Sequence, residues 1–446
     1  MPSLKLVNDK NPRQIAFRVL QARREGEFTE TLLEQAFATP NAASKMPSID
    51  RALCQELVYG IVRRQMTLDW LIARKTDNRK QNAGLQNLLC LGLYQIFWLD
   101  RIPPHAAVHE TVELAKRDGF GPKAGFINAI LRGYLREFDA TKKILADLKT
   151  SDPAVGFSHP QWLFEKWHKR FGSDSTRQLL EWNNAAPKTF ARVNTLKIDA
   201  GKLLEKWREE GVEYDFARRD FSSGQLENMV FELKSHPPLA TLESFRSGWF
   251  YVQDPSTLLA SLELAPRPGE TILDLCAAPG GKTTFIAQLI NNDGKIVASD
   301  VSEERLKLIR ENCVRLGVTC VEAIQNHQLS TISHPPLKFD RILIDAPCSN
   351  TGVLRRRVDL RWRVSPEEIA RLQQTQLDLL KFAAPKLKPG GTLVYSTCSL
   401  EPEENTGVVQ AFLGAHPDFK LERERELLPF VDDVDGAFVA CLKKSD

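Results

Sequence analysis

The chain has 446 residues, of which 42% are apolar and 26% charged, with a formal net charge of +3. That length accommodates two to three domains of roughly 100–200 residues each, with the composition of a globular chain. No run of about 18 apolar residues occurs, so no membrane-spanning helix is predicted and no membrane partner is expected.

Charge is unevenly spread. Residues 1–150 carry 23 Lys and Arg against 16 Asp and Glu, so the remainder of the chain is net acidic. The asymmetry points to a polyanionic partner for the N-terminal third, with Arg63-Arg64 and Arg74-Lys75 as candidate contacts. Residues 11 to about 148 read as helices. Leu85, Leu88, Leu89, Leu93, Ile96 and Phe97 share one helical face, Ile127, Ile130, Leu131 and Tyr134 another, and Pro103-Pro104 separates them. Both stripes predict the core of a helical bundle. Residues 149–245 read as a connecting α/β segment with Trp162, Trp167 and Trp182 as packing aromatics, leading to Ala191-Arg192-Val193-Asn194.

From residue 246 strands alternate with helices. Strands are predicted at 271–276, 295–300, 320–325, 339–345, 391–397 and 437–443, and helices at 282–290, 303–316 and 366–384. Ser365-Pro366-Glu367-Glu368 supplies a start signal for the last helix: a Ser N-cap, Pro at the first position and Glu at the third. The alternation predicts a doubly wound parallel sheet. The amino terminus lacks the apolar core of a secretion signal, so a cytoplasmic protein with reduced thiols is expected. The eight cysteines include no Cys-x-x-Cys and the eight histidines form no cluster, so no metal is expected. Nothing indicates an obligate oligomer; a monomer is expected.

Three strand ends carry the chemistry. Ile272-Leu273-Asp274-Leu275 runs into Cys276-Ala277-Ala278-Pro279-Gly280-Gly281-Lys282, a loop of small residues that opens a helix. Such a loop lets backbone N–H groups approach an anionic ligand. It nearly matches a phosphate-binding loop, but Cys276 stands where the first Gly belongs. What remains fits S-adenosylmethionine, whose carboxylate needs backbone donors. Asp300 ends the next strand, at the distance that suits a ribose diol. The other two strands lead into Asp345-Ala346-Pro347-Cys348-Ser349 and Tyr395-Ser396-Thr397-Cys398-Ser399. Ligands of open α/β sheets bind outside the carboxyl ends of the strands, so both thiols are expected to face the cofactor cleft.

Two thiols beside such a cofactor suit methylation of cytosine at C5. C5 is a poor nucleophile until a thiolate adds at C6 and makes the ring an enamine; the product then loses its C5 proton and expels the thiol. Cys398, Cys348 and Asp345 supply a nucleophile, a second thiol and an acid for the N3 or N4 edge. Arg355, Arg356, Arg361, Trp362 and Arg363, just beyond Cys348, suit phosphate neutralisation and base stacking. An NTPase with Asp345 as its acid, a non-catalytic RNA-binding assembly factor, and the same chemistry on tRNA are the competing readings.

Asp-Leu-Cys-Ala-Ala-Pro-Gly-Gly-Lys-Thr, Asp-Ala-Pro-Cys-Ser and Tyr-Ser-Thr-Cys-Ser, in this order, resemble the RNA 5-methylcytosine methyltransferases of the Nop2/Sun family. Arg51-Ala-Leu, Glu56-Leu-Val-Tyr-Gly60-Ile-Val-Arg63 and Gly125-Phe-Ile-Asn128-Ala-Ile-Leu-Arg132 resemble helical RNA-binding domains of the NusB type. The resemblance implies a Rossmann-like class I methyltransferase domain over 246–446, a NusB-like all-α domain over 1–148 and a small α/β domain between them. It further implies S-adenosylmethionine as cofactor and small-subunit rRNA as substrate, with Cys398 as nucleophile and Cys348 aiding product release. Residues 276–282, Asp300 and Asp345 would line the cofactor pocket. Asn326 would face the adenine where the family usually has Asp. Arg357-Val358 and Ala437 also depart from the family pattern, which commonly has His-Pro and an aromatic there.

Overall fold

A computed structural model describes residues 11–23, 26–38, 46–216, 228–330 and 337–446. The chain divides into two compact units, Met1–Ala185 with Arg357–Arg363, and Ala186–Arg356 with Val364–Asp446.

The first unit is helical among its described residues. Its most apolar helix, Ala83–Trp98, starts where the Asn82 side chain accepts a hydrogen bond from the Leu85 N–H. Leu88, Leu89 and Leu93 of this helix are buried, as are Ile127, Ile130, Leu131 and Tyr134 of the Ala124–Arg136 helix. Pro104 opens the helix between them, at a position where a proline's missing N–H leaves no bond unmade. Trp167 and the surrounding Gln161–Asn184 helix also belong to this unit, so the division at Ala185 falls inside the segment read as connecting.

Arg357–Arg363 joins the same unit from far along the chain. The Asp359 carboxylate accepts hydrogen bonds from the Thr29 N–H (2.6 Å), the Thr29 hydroxyl (2.8 Å) and Arg23 Nε (2.5 Å). It thereby caps the Thr29–Ala38 helix, whose own sequence places no earlier cap there. Arg361 is 0% exposed, and its guanidinium donates to the carbonyls of Arg63, Ser158 and Asn183 and to Asn184 Oδ1. Trp362 Nε1 donates to the Val62 carbonyl at 2.8 Å, and Val358 joins the apolar core.

The second unit holds two sheets. The smaller is antiparallel, in the order β2-β3-β1-β4, from β1 (Thr189–Val193), β2 (Glu213–Phe216), β3 (Val230–Ser235) and β4 (Phe250–Val252). Trp207 of the Ala200–Glu209 helix packs edge-on against Phe231 and Phe250 to form its core. The larger sheet has the order β10-β11-β9-β8-β5-β6-β7. Its strands are β5 (Thr271–Leu275), β6 (Lys295–Asp300), β7 (Val321–Gln325), β8 (Phe339–Asp345), β9 (Leu387–Thr397), β10 (Phe419–Leu427) and β11 (Ala437–Lys444). Neighbours from β9 to β7 run parallel, whereas β11 is antiparallel to both β9 and β10. The sheet is therefore mixed rather than all parallel.

Alternate residues of the central strands face opposite ways. Ile272, Leu343 and Val394 pack with Phe285, Ile286 and Ile309 from the Gly281–Leu289 and Glu303–Leu316 helices. Leu273, Leu275, Ile342, Ile344 and Leu393 pack with Leu380, Ala383, Val409 and Phe412 from the Pro366–Ala383 and Thr406–Ala415 helices. Ser365 caps the Pro366–Ala383 helix as its sequence predicts, accepting from the Glu368 N–H.

Replacing Asp359 with Ala uncaps a helix and strands Arg23, whose side chain is 14% exposed. Loss of a largely buried ion-pair partner together with a cap destabilises by about 3–5 kcal/mol. The Asp359→Ala chain is expected to lose that much stability in the first unit in urea titrations followed by helical circular dichroism. An unchanged midpoint would show that the cap is inert.

Candidate active site

The carboxyl ends of β5, β6, β8 and β9 carry the residues singled out from sequence. After β5, Cys276 turns the chain with φ of +60° and Gly280 continues the turn at +99°, a left-handed conformation that glycine adopts without strain. The Gly281–Leu289 helix begins at once, so its first N–H groups lack intrahelical acceptors and point toward the loop. Asp300, at the end of β6, is buried, and Oδ2 accepts from the Ala278 N–H at 3.2 Å. Its other oxygen accepts from the Val301 N–H and from Arg305, which also donates to the Ala278 carbonyl. Asp300 thus braces the loop. Asn326 is tied to β6 as well, its Oδ1 accepting from the buried Ser299 hydroxyl at 2.6 Å.

Lys282 turns back from the first helical turn onto Asp345 at the end of β8, with Nζ 2.6 Å from Oδ2. Burial works against the Lys282 charge, but the Asp345 carboxylate beside it and the Cys398 sulfur facing it raise its pKa on balance. The other Asp345 oxygen accepts from the Ser396 hydroxyl at 3.0 Å. Burial, with the acids Asp345, Asp300 and Asp274 around it, pushes the Cys276 thiol up to about 12, so this thiol stays protonated.

Cys348 and Cys398 come together, Sγ to Sγ, at 3.4 Å. Asn350 spans both loops: Oδ1 accepts from the Cys398 thiol at 3.0 Å, and Nδ2 donates to the Cys348 carbonyl at 2.5 Å. The hydrogen bond to Cys398 and burial together hold the Cys348 thiol well above its ordinary pKa. Gly352 lies behind the pair, where a Cβ would come within 2.6 Å of the Gly436 carbonyl and 2.8 Å of the Cys398 carbonyl. Only glycine fits that crossing of chains.

The arginines read as RNA contacts are occupied otherwise. Arg355 is 2% exposed and its Nε donates to Asp435 at 2.5 Å. Arg356 donates to Asp435, to the Lys188 carbonyl and to Asp254. Both therefore anchor the Cys348 loop to buried carboxylates. Arg361 and Trp362 are spent on backbone carbonyls of the helical unit, and Arg363 lies over the Phe28 ring at 3.8 Å. The physical reason is common to all: each guanidinium or indole N–H finds protein acceptors, leaving no charged fork facing solvent at Arg355 or Arg361. In the helical unit Arg74 lies over Trp70 and Lys75 pairs with Glu137.

Two contributors escaped the sequence reading. Arg192 of β1 is buried and donates to Gln253 Oε1 (3.0 Å), the Gly281 carbonyl (3.1 Å) and the Thr284 hydroxyl (3.1 Å). It ties the small sheet to the cofactor loop, and burial lowers its pKa to about 9. Glu404 is 0% exposed and accepts hydrogen bonds from both cysteine loops. Among the described residues no group of three or more His, Cys, Asp or Glu is arranged to hold a metal ion, and no helix is long and apolar enough to cross a membrane.

Three families match along the chain: the NusB family over residues 10–136, a ferredoxin-like domain of RsmF/B-like methyltransferases over 159–239, and 16S rRNA methyltransferase RsmB/F over 261–443. The chain is 36% identical to the probable ribosomal RNA small subunit methyltransferase B of Bacillus subtilis (strain 168), covering 97% of this chain and 98% of that protein. It is 35% identical to the ribosomal RNA small subunit methyltransferase B of Shigella sonnei (strain Ss046), over 98% and 99%. Among solved structures, PH0851 superposes with a TM-score of 0.77 and 25% identity, covering 99% of this chain and all of that one. NSun6 from Pyrococcus horikoshii with SFG superposes with a TM-score of 0.55 and 25% identity over 64% of this chain and 98% of that one.

Asp274 of β5 gives a test of the interior beneath the loop. Its Oδ2 accepts from the Thr283 hydroxyl at 2.6 Å, Oδ1 has no partner, and burial raises its pKa to about 7. An unfolded aspartate titrates near 3.9. The folded state therefore binds the extra proton between about pH 4 and pH 7, and stability falls as pH rises through that window. Asp274→Asn removes the titration. Between pH 5 and pH 8 the native chain is expected to lose about 2–3 kcal/mol relative to the variant in urea midpoints. Parallel pH profiles for the two chains would refute a protonated Asp274.

Proposed function

With full-length relatives of this kind, the chain belongs to the RsmB/F family of 16S rRNA methyltransferases, and we propose that it methylates C5 of a cytosine in small-subunit rRNA through a covalent bond from Cys398 to C6 of the base. One observation carries this reading: two thiols 3.4 Å apart at the ends of adjacent strands, beside the Lys282–Asp345 pair.

S-Adenosylmethionine is the methyl donor we assign, supported by the residues present. Free N–H groups at the start of the Gly281–Leu289 helix suit its carboxylate, the loop from Cys276 to Gly281 is small enough for close approach, and Asp300 and Asn326 line the ends of the next two strands. A neighbour in fold, NSun6, was solved with SFG, an analogue of this cofactor. Bound here, it supplies an electrophilic methyl group.

The chain's own residues do the rest. The Cys398 sulfur adds to C6, and the electron pair displaced from the C5–C6 double bond makes C5 nucleophilic toward the methyl carbon. Lys282 is held charged by its pairing with Asp345 beside the thiols. Asp345, fixed by Lys282 and Ser396, is assigned to the N3–N4 edge of the base. Product release must break the C6–S bond and remove the C5 proton. A Cys348 thiol with a raised pKa keeps its proton until the Cys398 sulfur departs. It hands that proton to the departing sulfur as it takes the proton from C5, whose C–H electron pair restores the C5–C6 double bond while the C6–S pair leaves with the sulfur. A target within an RNA helix must be turned out of the stack to reach these thiols.

Small-subunit rRNA fragments carrying 5-fluorocytidine test the reading, because fluorine at C5 blocks the final elimination. With S-adenosylmethionine the native chain is expected to form a denaturant-resistant adduct mapped by mass spectrometry to Cys398, and Cys398→Ala none. On ordinary RNA, Cys348→Ala is expected to accumulate the adduct that the native chain resolves. Methylation by Cys398→Ala at more than about one hundredth of the native rate would overturn the covalent route.

A further inference from the structure

The two thiols are not held together by the sheet alone. β8 and β9 pair in parallel as far as Asp345 opposite Ser396, and the Ala346 N–H still donates to the Ser396 carbonyl at 2.9 Å. Beyond that point each chain leaves the ladder. Cys348 and Cys398 lie three and two residues further on, in loops without strand pairing of their own.

Asn350, the Gly352 N–H donating to the Cys398 carbonyl at 2.9 Å and the Ser349 and Ser399 hydroxyls 3.0 Å apart cross between the loops, and one carboxylate gathers both serines. Each cysteine is followed by a serine, Ser349 and Ser399. Glu404 Oε1 accepts from the Ser349 N–H at 2.8 Å and from Gln376 Nε2 at 3.1 Å. Its Oε2 accepts from the Ser399 hydroxyl at 2.6 Å and from the Ser349 hydroxyl. Gln376 also donates to the Pro347 carbonyl at 2.9 Å, bracing the first loop from the Pro366–Ala383 helix. The backbone around Glu404 is itself anchored. The Tyr395 hydroxyl donates to the Glu404 carbonyl at 2.6 Å, and Asn405 Nδ2 donates to the Ser399 carbonyl at 2.9 Å. Charge-assisted bonds of this kind are about twice as strong as neutral ones, and here two of them act on the Cys348 loop and one on the Cys398 loop.

We propose that Glu404 is a positioning residue that sets Cys348 and Cys398 as a working pair. It acts through Ser349 and Ser399, holding the two Cys-Ser segments at the separation that lets one sulfur leave the base as the other gives and takes a proton. The proposal rests on the covalent reading above. Its consequence is selective. The cofactor loop and Asp300 share no hydrogen bond with Glu404, so loss of the carboxylate loosens the thiol pair and leaves cofactor binding in place. A misplacement of about 1 Å in reacting groups lowers rates by about 100-fold.

Glu404→Gln keeps the volume and removes the charge. Phenylarsine oxide reads the pair without any methylation, because one arsenic bonds two nearby sulfurs and its oxygen leaves as water with their two protons. Peptide mapping assigns the bridge to Cys348 and Cys398, and Cys348→Ala serves as the unbridged control. Glu404→Gln is expected to bridge this pair at least tenfold more slowly than the native chain. Its kcat on RNA should fall at least tenfold, with KM for RNA and affinity for S-adenosylmethionine within about twofold of native. Ser399→Ala keeps the carboxylate, removes one of its donors and should show a smaller loss of the same kind; it serves as the test if Glu404→Gln does not fold. Native bridging and native kcat in either folded variant would overturn the proposal. Slowed bridging in a chain whose native form makes no 5-fluorocytidine adduct would uphold the pairing role and sink the covalent reading instead. Normal bridging beside a normal adduct would do the reverse.

Discussion

Register between β8 and β9 is the constraint on which the site depends. Parallel pairing sets Asp345 beside Ser396, and that single step of the ladder fixes where two consecutive loop chemistries begin. A slip of one residue would turn every side chain of a strand to the opposite face. Asp345 would then lose Lys282 and Ser396 together, and the two thiols would leave the sheet out of phase. The apolar residues Ile342, Ile344, Leu393 and Tyr395, buried on one face, make such a slip prohibitive. Core packing and catalytic alignment are one specification here.

Polar groups complete what the strands begin. Buried carboxylates recur wherever a loop must hold its shape: Asp300 under the cofactor loop, Asp254 and Asp435 under Arg355 and Arg356, and Glu404 between the cysteines. Each has several donors, as a buried acid requires if it is not to weaken the fold. Arg192 is the counterpart in the opposite sign, a buried guanidinium that donates to an amide oxygen, a carbonyl and a hydroxyl.

Much of this was legible in the sequence. The Pro366–Ala383 helix shows its Ser365 cap and leading proline, and the strand ends at Asp300, Asp345 and Thr397 follow apolar runs. What escaped notice has physical reasons. Phe419–Leu427 is a sheet edge with mostly exposed residues, so it shows charged alternation without an apolar face. The antiparallel direction of β11 follows from its pairing with β9 and β10, which no residue within the strand announces. Arg355 and Arg361 look, as letters, like every solvent-facing basic patch. Only folding reveals that carboxylates and carbonyls had already claimed them. Glu404 sits in an acidic run with Glu401 and Glu403, where sequence alone suggests a solvated turn.

The excursion of Arg357–Arg363 into the helical unit has a consequence for biogenesis. A ribosome finishes Ala185 long before it reaches Asp359 and Arg361, the residues that cap one helix and bind carbonyls in the interior of that unit. At elongation rates of about 5–20 residues per second, the helical unit must wait roughly nine to thirty-five seconds for its last piece. A nascent chain of this protein therefore carries an unfinished first domain through the synthesis of most of its second.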